Sequence, residues 1–286
     1  MRYNCTLSGK SVFLRAMLKS GNYLLLILSL LVLVTACDSY NKVLKSNDLE
    51  YKLTKAKEYY NSGNYYKALP LFEELISAYR GKPELEEIYY FYSYSYYGQE
   101  NYLLAAYNFK NFVSAFPVSK YAEEAQYMHA MSFYMISPVP KLDQTNTLKA
   151  IDAFQLFITK YPGSTRVAEA NKAISELRRK MELKAFQSAQ LYYDMDQYKA
   201  AAIAFENILR DYPDTPEAEL VNFLKFKSYY NYARNSIDAR KLERYNEAIV
   251  AYNDFKELYP ESRYSKEAEN LYITSKAAIQ NLSSND

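Results

Sequence analysis

The sequence predicts an all-α protein, a superhelix of repeated helix-turn-helix units behind a cleaved N-terminal signal. Three observations predict it. Apolar residues recur at spacings of three and four, as in ALPLFEELISAY, where Leu69, Phe72, Leu75 and Ile76 share one helical face. Only six glycines and nine prolines punctuate 286 residues, and few stretches alternate with period two. Five segments follow a single template, which is the signature of a repeat array.

The first element is the signal. The apolar run YLLLILSLLVLVTAC lies behind a basic lead and ends in small residues. It falls short of the about 20 apolar residues of a membrane span and reads as a secretory signal over residues 1–36. Met17 opens the more compact MLKSGNYLLLILSLLVLVTAC and is a second candidate start. Val34-Thr35-Ala36-Cys37 resembles the bacterial lipobox, whose cysteine is acylated and becomes the first residue of the mature chain. Cys5 is the only other cysteine and falls in the discarded part, so the Cys37 thiol has no disulfide partner and is left for lipid. Three acyl chains exceed the two signals that stable anchoring takes, so the mature protein is expected to sit at a membrane without spanning it. Residues 37–47 form its tether.

Processing also changes the charge. Residues 1–36 hold Arg2, Lys10, Arg15 and Lys19 and no acid, so their loss turns the balance of 35 basic and 33 acidic groups from +2 to −2. A near-neutral chain lacks the basic surplus that phosphate neutralisation requires, which argues against nucleic acid as a partner.

The repeats come next. NYYKALPLFEELISAY, NYLLAAYNFKNFVSAFP, LKAIDAFQLFITKYP, QYKAAAIAFENILRDYP and RYNEAIVAYNDFKELYP each place an aromatic (Phe72, Phe109, Phe154, Phe205, Tyr252) four residues after a small residue (Ala68, Ala105, Ala150, Ala201, Ala248). Four of them reach a proline eight residues further on, at Pro117, Pro162, Pro213 and Pro260. The alanine lets two helices approach, the aromatic one turn later fills the gap, and the proline stops the helix. Ser119, Ser164, Thr215 and Ser262, each two residues after a proline, suit the cap of the following helix, with Pro216 at a first helical position. Ala56, Tyr59, Gly63, Tyr65, Ala68 and Phe72 match the tetratricopeptide-repeat pattern in order, which makes the expected fold a tetratricopeptide-repeat superhelix of five repeats. Repeats one to three occupy 48–163, a long helix with repeats four and five 164–275, and a tail 276–286. The long helix runs from Ser164 to about Tyr193. Two intervals, SPVPKLDQTNT in repeat three and ARNSIDARKLER in repeat five, are too long for tight turns and are expected to form excursions.

Catalysis finds little support. His129 is the only histidine, and no nucleophile elbow, phosphate-binding glycine loop, zinc-protease helix or cysteine ligand set is present. Glu73-Glu74, Glu86-Glu87 and Glu123-Glu124 are adjacent on helices and point apart, as on a solvated face. The expectation is a non-enzyme with no metal and no cofactor. Tyrosine is the residue expected to carry function, with 33 copies and no tryptophan. In IYYFYSYSYYG, Tyr89, Tyr92 and Tyr96 lie on one side of a helix and Tyr90, Tyr94 and Tyr97 on another. By repeat position the first set packs into the partner helix and the second lines the concave groove, together with Tyr60, Tyr127, Met131, Tyr134, Phe186 and Tyr193. Tyrosine offers wide apolar contact and a hydroxyl with two torsions to freeze, which suits extended or partly folded peptides.

The lipobox, the five repeats, the insertion around Leu142-Asp143-Gln144, the tract from YPGSTRVAEA into the long helix, and Leu209-Arg210-Asp211-Tyr212-Pro213-Asp214-Thr215 together resemble the BamD family, tetratricopeptide lipoproteins of the outer-membrane β-barrel assembly machine. The resemblance implies an outer-membrane location facing the periplasm. It also implies front repeats that meet unfolded barrel-protein precursors, and back repeats that meet BamA and other assembly subunits. Two other readings stand beside it: a cell-envelope scaffold, whose members usually carry an N-terminal coiled coil that is missing before Asp48, and a glycan-capturing lipoprotein, typically longer and tryptophan-bearing. For docking, the back half offers Arg210, Arg234, Arg240 and Arg244 in or next to turns, where guanidinium groups can meet partner carboxylates in bidentate geometry.

Overall fold

In a computed structural model the protein is described over residues 40–284. The signal region, Cys37 and residues 38 and 39 lie outside the described residues. A helical turn at 40–44 precedes eleven helices, and no strand occurs among the described residues. They are α1 (Leu49–Asn61), α2 (Tyr65–Ala78), α3 (Glu84–Gly98), α4 (Tyr102–Ala115), α5 (Ala122–Met135), α6 (Thr145–Lys160), α7 (Val167–Asp194), α8 (Tyr198–Asp211), α9 (Ala218–Arg234), α10 (Asp238–Leu258) and α11 (Ser265–Ser283). The five template segments are α2, α4, α6, α8 and α10, each the second helix of a repeat. All five template alanines are 0% exposed, and the aromatics after them are 0% exposed except Tyr252 at 6%. Each buried ring removes enough apolar surface to contribute about 2–3 kcal/mol.

The turns repeat as well. Between α1 and α2 the amides of Gly63 and Asn64 bond back to Tyr60 and Tyr59, and the same pair of bonds closes α3 through Glu100 and Asn101 and α7 through Asp196 and Gln197. This closure needs a left-handed residue, and Gly63, Glu100 and Asp196 have φ of 74°, 59° and 58°. Beside the first turn, a side chain on Gly98 would meet the Tyr65 ring at 2.3 Å, so glycine permits α2 and α3 to close there. At the other end, the residue before each template proline (Phe116, Tyr161, Tyr212, Tyr259) leaves the helix at φ between −134° and −128° and ψ between 61° and 67°, outside the helical region that a following proline disfavours. The hydroxyls of Ser119, Ser164, Thr215 and Ser262 then accept the amide two residues on, and each residue's carbonyl accepts the amide that opens α5, α7, α9 or α11.

Two compact units divide the chain, one ending at Ser132 and the other starting at Phe133, a boundary inside α5 and ahead of the repeat boundary at Ser164. Around α1 to α3 the first unit buries Val43, Leu71, Phe72, Leu75 and Ile88. In the second, Phe205, Val221, Phe226, Tyr252 and Phe255 form a core over α8, α9 and α10. Of the two expected excursions, residues 136–144 do leave the helices. The interval ARNSIDARKLER does not. Only residues 235–237 are non-helical, because Asp238 sits in the first turn of α10 and pairs with Lys241 at 2.9 Å, while Arg240 pairs with Glu243, also at 2.9 Å. α11 continues to Ser283, through most of the expected tail.

Candidate functional site

In the front unit α3 presents its tyrosines to α4 and α5. Tyr90 stacks on Tyr121 with centroids 4.3 Å apart and meets Tyr94 edge-on at 4.9 Å. Tyr94 stands edge-on to Phe109 at 5.0 Å and its hydroxyl donates to the Glu124 carboxylate. Burial pushes its pKa far above the ordinary 10, and the Glu124 bond, which needs the proton, pushes the same way. Tyr97 meets Tyr102 edge-on at 5.0 Å. All three are half-buried, so each keeps part of a ring in solvent while its neighbours fix its orientation. The expected partition between core and groove tyrosines is blurred: Tyr90 reaches Phe112 of α4 at 6.1 Å, the same distance as Tyr89.

The remaining groove candidates separate by burial. Tyr60 is half-buried, 4.7 Å from Phe91 and 5.5 Å from Tyr65, and burial raises its pKa. Tyr127 is only 3% exposed and packs in the core, so it offers no ring to a groove. Met131 is half-buried. In the second unit Tyr134 donates to Glu176 at 2.6 Å and meets Phe154 edge-on at 6.3 Å. Phe186 stands edge-on to Phe205 at 6.1 Å, and the Tyr193 hydroxyl accepts from Asn231 at 2.9 Å.

The four arginines differ in how firmly they are held. Arg210 stands in the last turn of α8, is 68% exposed and pairs with its neighbour Asp211 at 3.0 Å. Arg234 ends α9 with its guanidinium 5.9 Å from the Tyr230 ring centre. Arg244 is pinned, lying 4.1 Å over the Tyr232 ring and donating to the Ser236 hydroxyl at 2.6 Å. Arg240 and Arg244 line one cleft of about 370 Å³ with Lys199, Ile203, Tyr229, Tyr232, Glu243 and Glu247. Because DARKLER is helical, these two arginines are one helical turn apart on α10 and project from a rigid element.

Several polar devices escaped the sequence reading. Gln144 is 4% exposed and donates to the carbonyls of Val139 and Leu142, and the Ser137 and Thr147 hydroxyls bond each other at 2.6 Å. Lys180 donates to the Ser137 hydroxyl at 2.7 Å and Lys184 to the Leu142 carbonyl at 2.5 Å. The 136–144 connector is thus pinned to α7, and burial lowers the Lys180 pKa. Glu86 accepts from the Ser119 hydroxyl and Glu219 from the Ser262 hydroxyl, so a carboxylate at the start of one repeat latches the turn that opens the next. Among the described residues no helix is long and apolar enough to cross a membrane, and no group of three His, Cys, Asp or Glu could hold a metal.

Stacked helix pairs with half-exposed aromatic and arginine surfaces define a helical-repeat scaffold of the tetratricopeptide class. The chain belongs to the YfiO family of outer membrane lipoproteins, the BamD family, whose model matches residues 47–235 and 185–280. Among solved structures it is similar to the TPR2AB-domain:pHSP90-complex of yeast Sti1, at 12% identity and a TM-score of 0.37, covering 80% of this chain and 98% of that one. It is also similar to the P58(IPK) TPR domain, at 10% identity and a TM-score of 0.39, covering 84% and 68%. Comparison with curated proteins finds no match.

Proposed function

We propose that this lipoprotein is a non-catalytic assembly factor, anchored through Cys37 at the periplasmic face of the outer membrane. It holds barrel-protein precursors on the tyrosine face of its front repeats and docks on a BamA-like barrel subunit through the arginines of its back repeats. The observation that carries the reading is that the two stretches matched by the family model, residues 47–235 and 185–280, between them include both surfaces. The chemistry of each suits its task. Half-buried tyrosines packed edge-on against one another offer pre-oriented apolar contact at low entropic cost, as adaptable peptide readers require. Arginines at the ends of α8 and α9 and in the first two turns of α10 can steer and register a folded partner that carries carboxylates. Affinity purification of the acylated protein from detergent-solubilised envelopes tests the reading directly. A barrel subunit with periplasmic domains is expected among the retained proteins, and its absence, with the bait intact, would sink the proposal.

A further inference from the structure

We propose that the turn end of the first repeat is a membrane-contacting surface, held against the lipid headgroups of the leaflet that carries the anchor. The inference rests on Cys37 being the acylated residue. Residues 40–44 are not a loose leash. The Tyr40 hydroxyl donates to the Lys67 carbonyl at 3.1 Å, its ring stands edge-on to Tyr59 at 5.6 Å, and the Lys67 ammonium lies 5.5 Å from the Tyr40 ring centre and 5.6 Å from that of Tyr59. Val43, one turn on, is 2% exposed. The packed chain therefore begins only three residues after Cys37, and three residues span at most about 11 Å.

That length decides the geometry. The interfacial layer on each side of a bilayer is about 5–8 Å thick. A thiol acylated at the glycerol level keeps Tyr40 at or just beyond the headgroups, and with it the end of the α1–α2 pair to which Tyr40 is bonded. The surface there suits such a neighbour. Tyr66, beside Lys67, is 76% exposed, the turn residues Ser62 and Gly63 are exposed, and Lys42 and Lys45 are exposed on the segment that arrives from the anchor. An exposed tyrosine is at home where one end of its ring is apolar and the other wet, and lysines are attracted to anionic headgroups. A partner protein could cover the same residues, but it would have to fit within the reach of a three-residue leash already filled by headgroups.

The chain contains no tryptophan, so one introduced residue reports alone. Tyr66→Trp is placed in the full acylated protein and reconstituted into vesicles of phosphatidylethanolamine and phosphatidylglycerol, with and without bromine on the upper acyl chain. The expected result is a blue-shifted emission that the brominated lipid quenches severalfold. Val118→Trp is the control: Val118 is 98% exposed and lies beyond the far end of α4, about 21 Å along that helix from the turn end. Its emission is expected to stay water-like and unquenched. If the protein floats with the vesicles while Tyr66→Trp is quenched no more than Val118→Trp, the surface assignment is overturned and the anchor stands. If the protein stays in solution as a Cys37→Ala variant does, the anchor reading falls and the membrane surface falls with it. Shielding of Tyr66→Trp that appears only on adding a second protein would overturn lipid in favour of a protein cover.

Discussion

Arg179, midway along α7, holds the Glu217 carboxylate through both terminal nitrogens, one of them at 2.6 Å, and reaches Glu182 at 2.5 Å with the same Nη1. Thr215 adds a bond to the same carboxylate at 3.2 Å, so the turn that opens α9 is tied to the long helix. The pair is partly exposed, at 45% and 38%, which limits its worth, whereas the Glu182 side chain is only 10% exposed and depends on Arg179. Arg179→Lys, which loses the planar fork, is expected to cost about 1 kcal/mol or less. Arg179→Ala is expected to cost about 2 kcal/mol because it strands a buried carboxylate. The Arg179 bond first, and its charge, hold the Glu217 carboxyl below the ordinary 4.5. A depressed carboxyl stabilises the fold above pH 4.5 and loses that contribution as pH falls through the folded value, so the acid limb of urea unfolding midpoints should be shallower in Arg179→Ala. An unchanged limb would show that Glu217 is not held by Arg179 in solution.

Glu100 closes α3 in the left-handed region, where a β-carbon is strained by roughly 1–2 kcal/mol. Glu100→Gly removes the strain and adds unfolded-state entropy, for a net gain of about 0.5–1 kcal/mol. Asp196, at the equivalent turn, accepts from the Tyr198 hydroxyl, so Asp196→Gly should be close to neutral. Thermal melts of the two variants separate these outcomes, and equal shifts would contradict the turn argument.

His129 donates from Nδ1 to the Ala106 carbonyl at 2.8 Å, joining α5 to α4. Burial lowers its pKa below 6.5; the Ala106 bond opposes this and the Lys110 charge adds to it. Because the folded-state pKa is depressed, neutral His129 stabilises the fold above pH 6.5, and the contribution is lost as pH falls through the folded value. His129→Gln, which can still donate to Ala106, should flatten the decline in stability below pH 6.5. A parent protein equally stable across that interval would refute the assignment.

How much of this was legible follows from range. The alanine–aromatic template, the proline stops and the left-handed Gly63 are set by neighbours within a few residues, so spacing exposes them. Glu100 and Asp196 occupy the same turn position without glycine's signal, and only the backbone reveals the equivalence. The ARNSIDARKLER interval is long for a turn, yet Asp238, Arg240, Lys241 and Glu243 are spaced to pair within a helix, so its length points to an excursion while its composition permits the helix. The Glu86–Ser119 and Glu219–Ser262 latches join residues 33 and 43 apart and leave no local trace. For the tyrosines, helical phase alone could not tell buried Tyr127 from half-exposed Tyr94, since both lie at groove-type positions and burial depends on the helices packed against each.

The tyrosine face can be tested by separating ring from hydroxyl. Replacing Tyr90, Tyr94 and Tyr97 together by Ala removes the stack on Tyr121 and the bond to Glu124, and should lower both stability and affinity for a C-terminal barrel-strand peptide. The triple Phe variant keeps the rings and should keep most of the affinity, because stacking carries about 0.5–1.5 kcal/mol per pair beyond area. Tyr96, half-buried rather than fully enclosed, should cost less on Ala substitution than the 3–5 kcal/mol of a buried ring. Fluorescence anisotropy with a labelled peptide, alongside melting curves, reads both effects. Equal peptide affinity in the parent and the folded triple Ala variant would remove precursor binding from this face.

Docking through the back half is tested best at Arg210 and Arg244, because the two are held so differently. Arg244 is pinned by the Tyr232 ring and the Ser236 hydroxyl, so Arg244→Ala should cost about 1–2 kcal/mol of stability whether or not a partner is present. Arg210 meets Asp211 at 3.0 Å with both groups more than half exposed, a contact worth little to the fold. At the last turn of α8 its charge is favoured by the helix C-terminus. Arg210→Ala should therefore leave the melting temperature unchanged. If Arg210 enters a desolvated pair with a partner carboxylate, its loss should cost about 2–5 kcal/mol and appear as faster dissociation, whereas a rim contact would mainly slow association and fade with salt. Co-purification of the barrel subunit with full-length Arg210→Ala, followed by binding kinetics at two ionic strengths, distinguishes these cases. Retention and kinetics equal to the parent's would exclude Arg210 from the interface and leave Arg234 at the end of α9 and Arg240 and Arg244 of the α10 cleft as the docking groups.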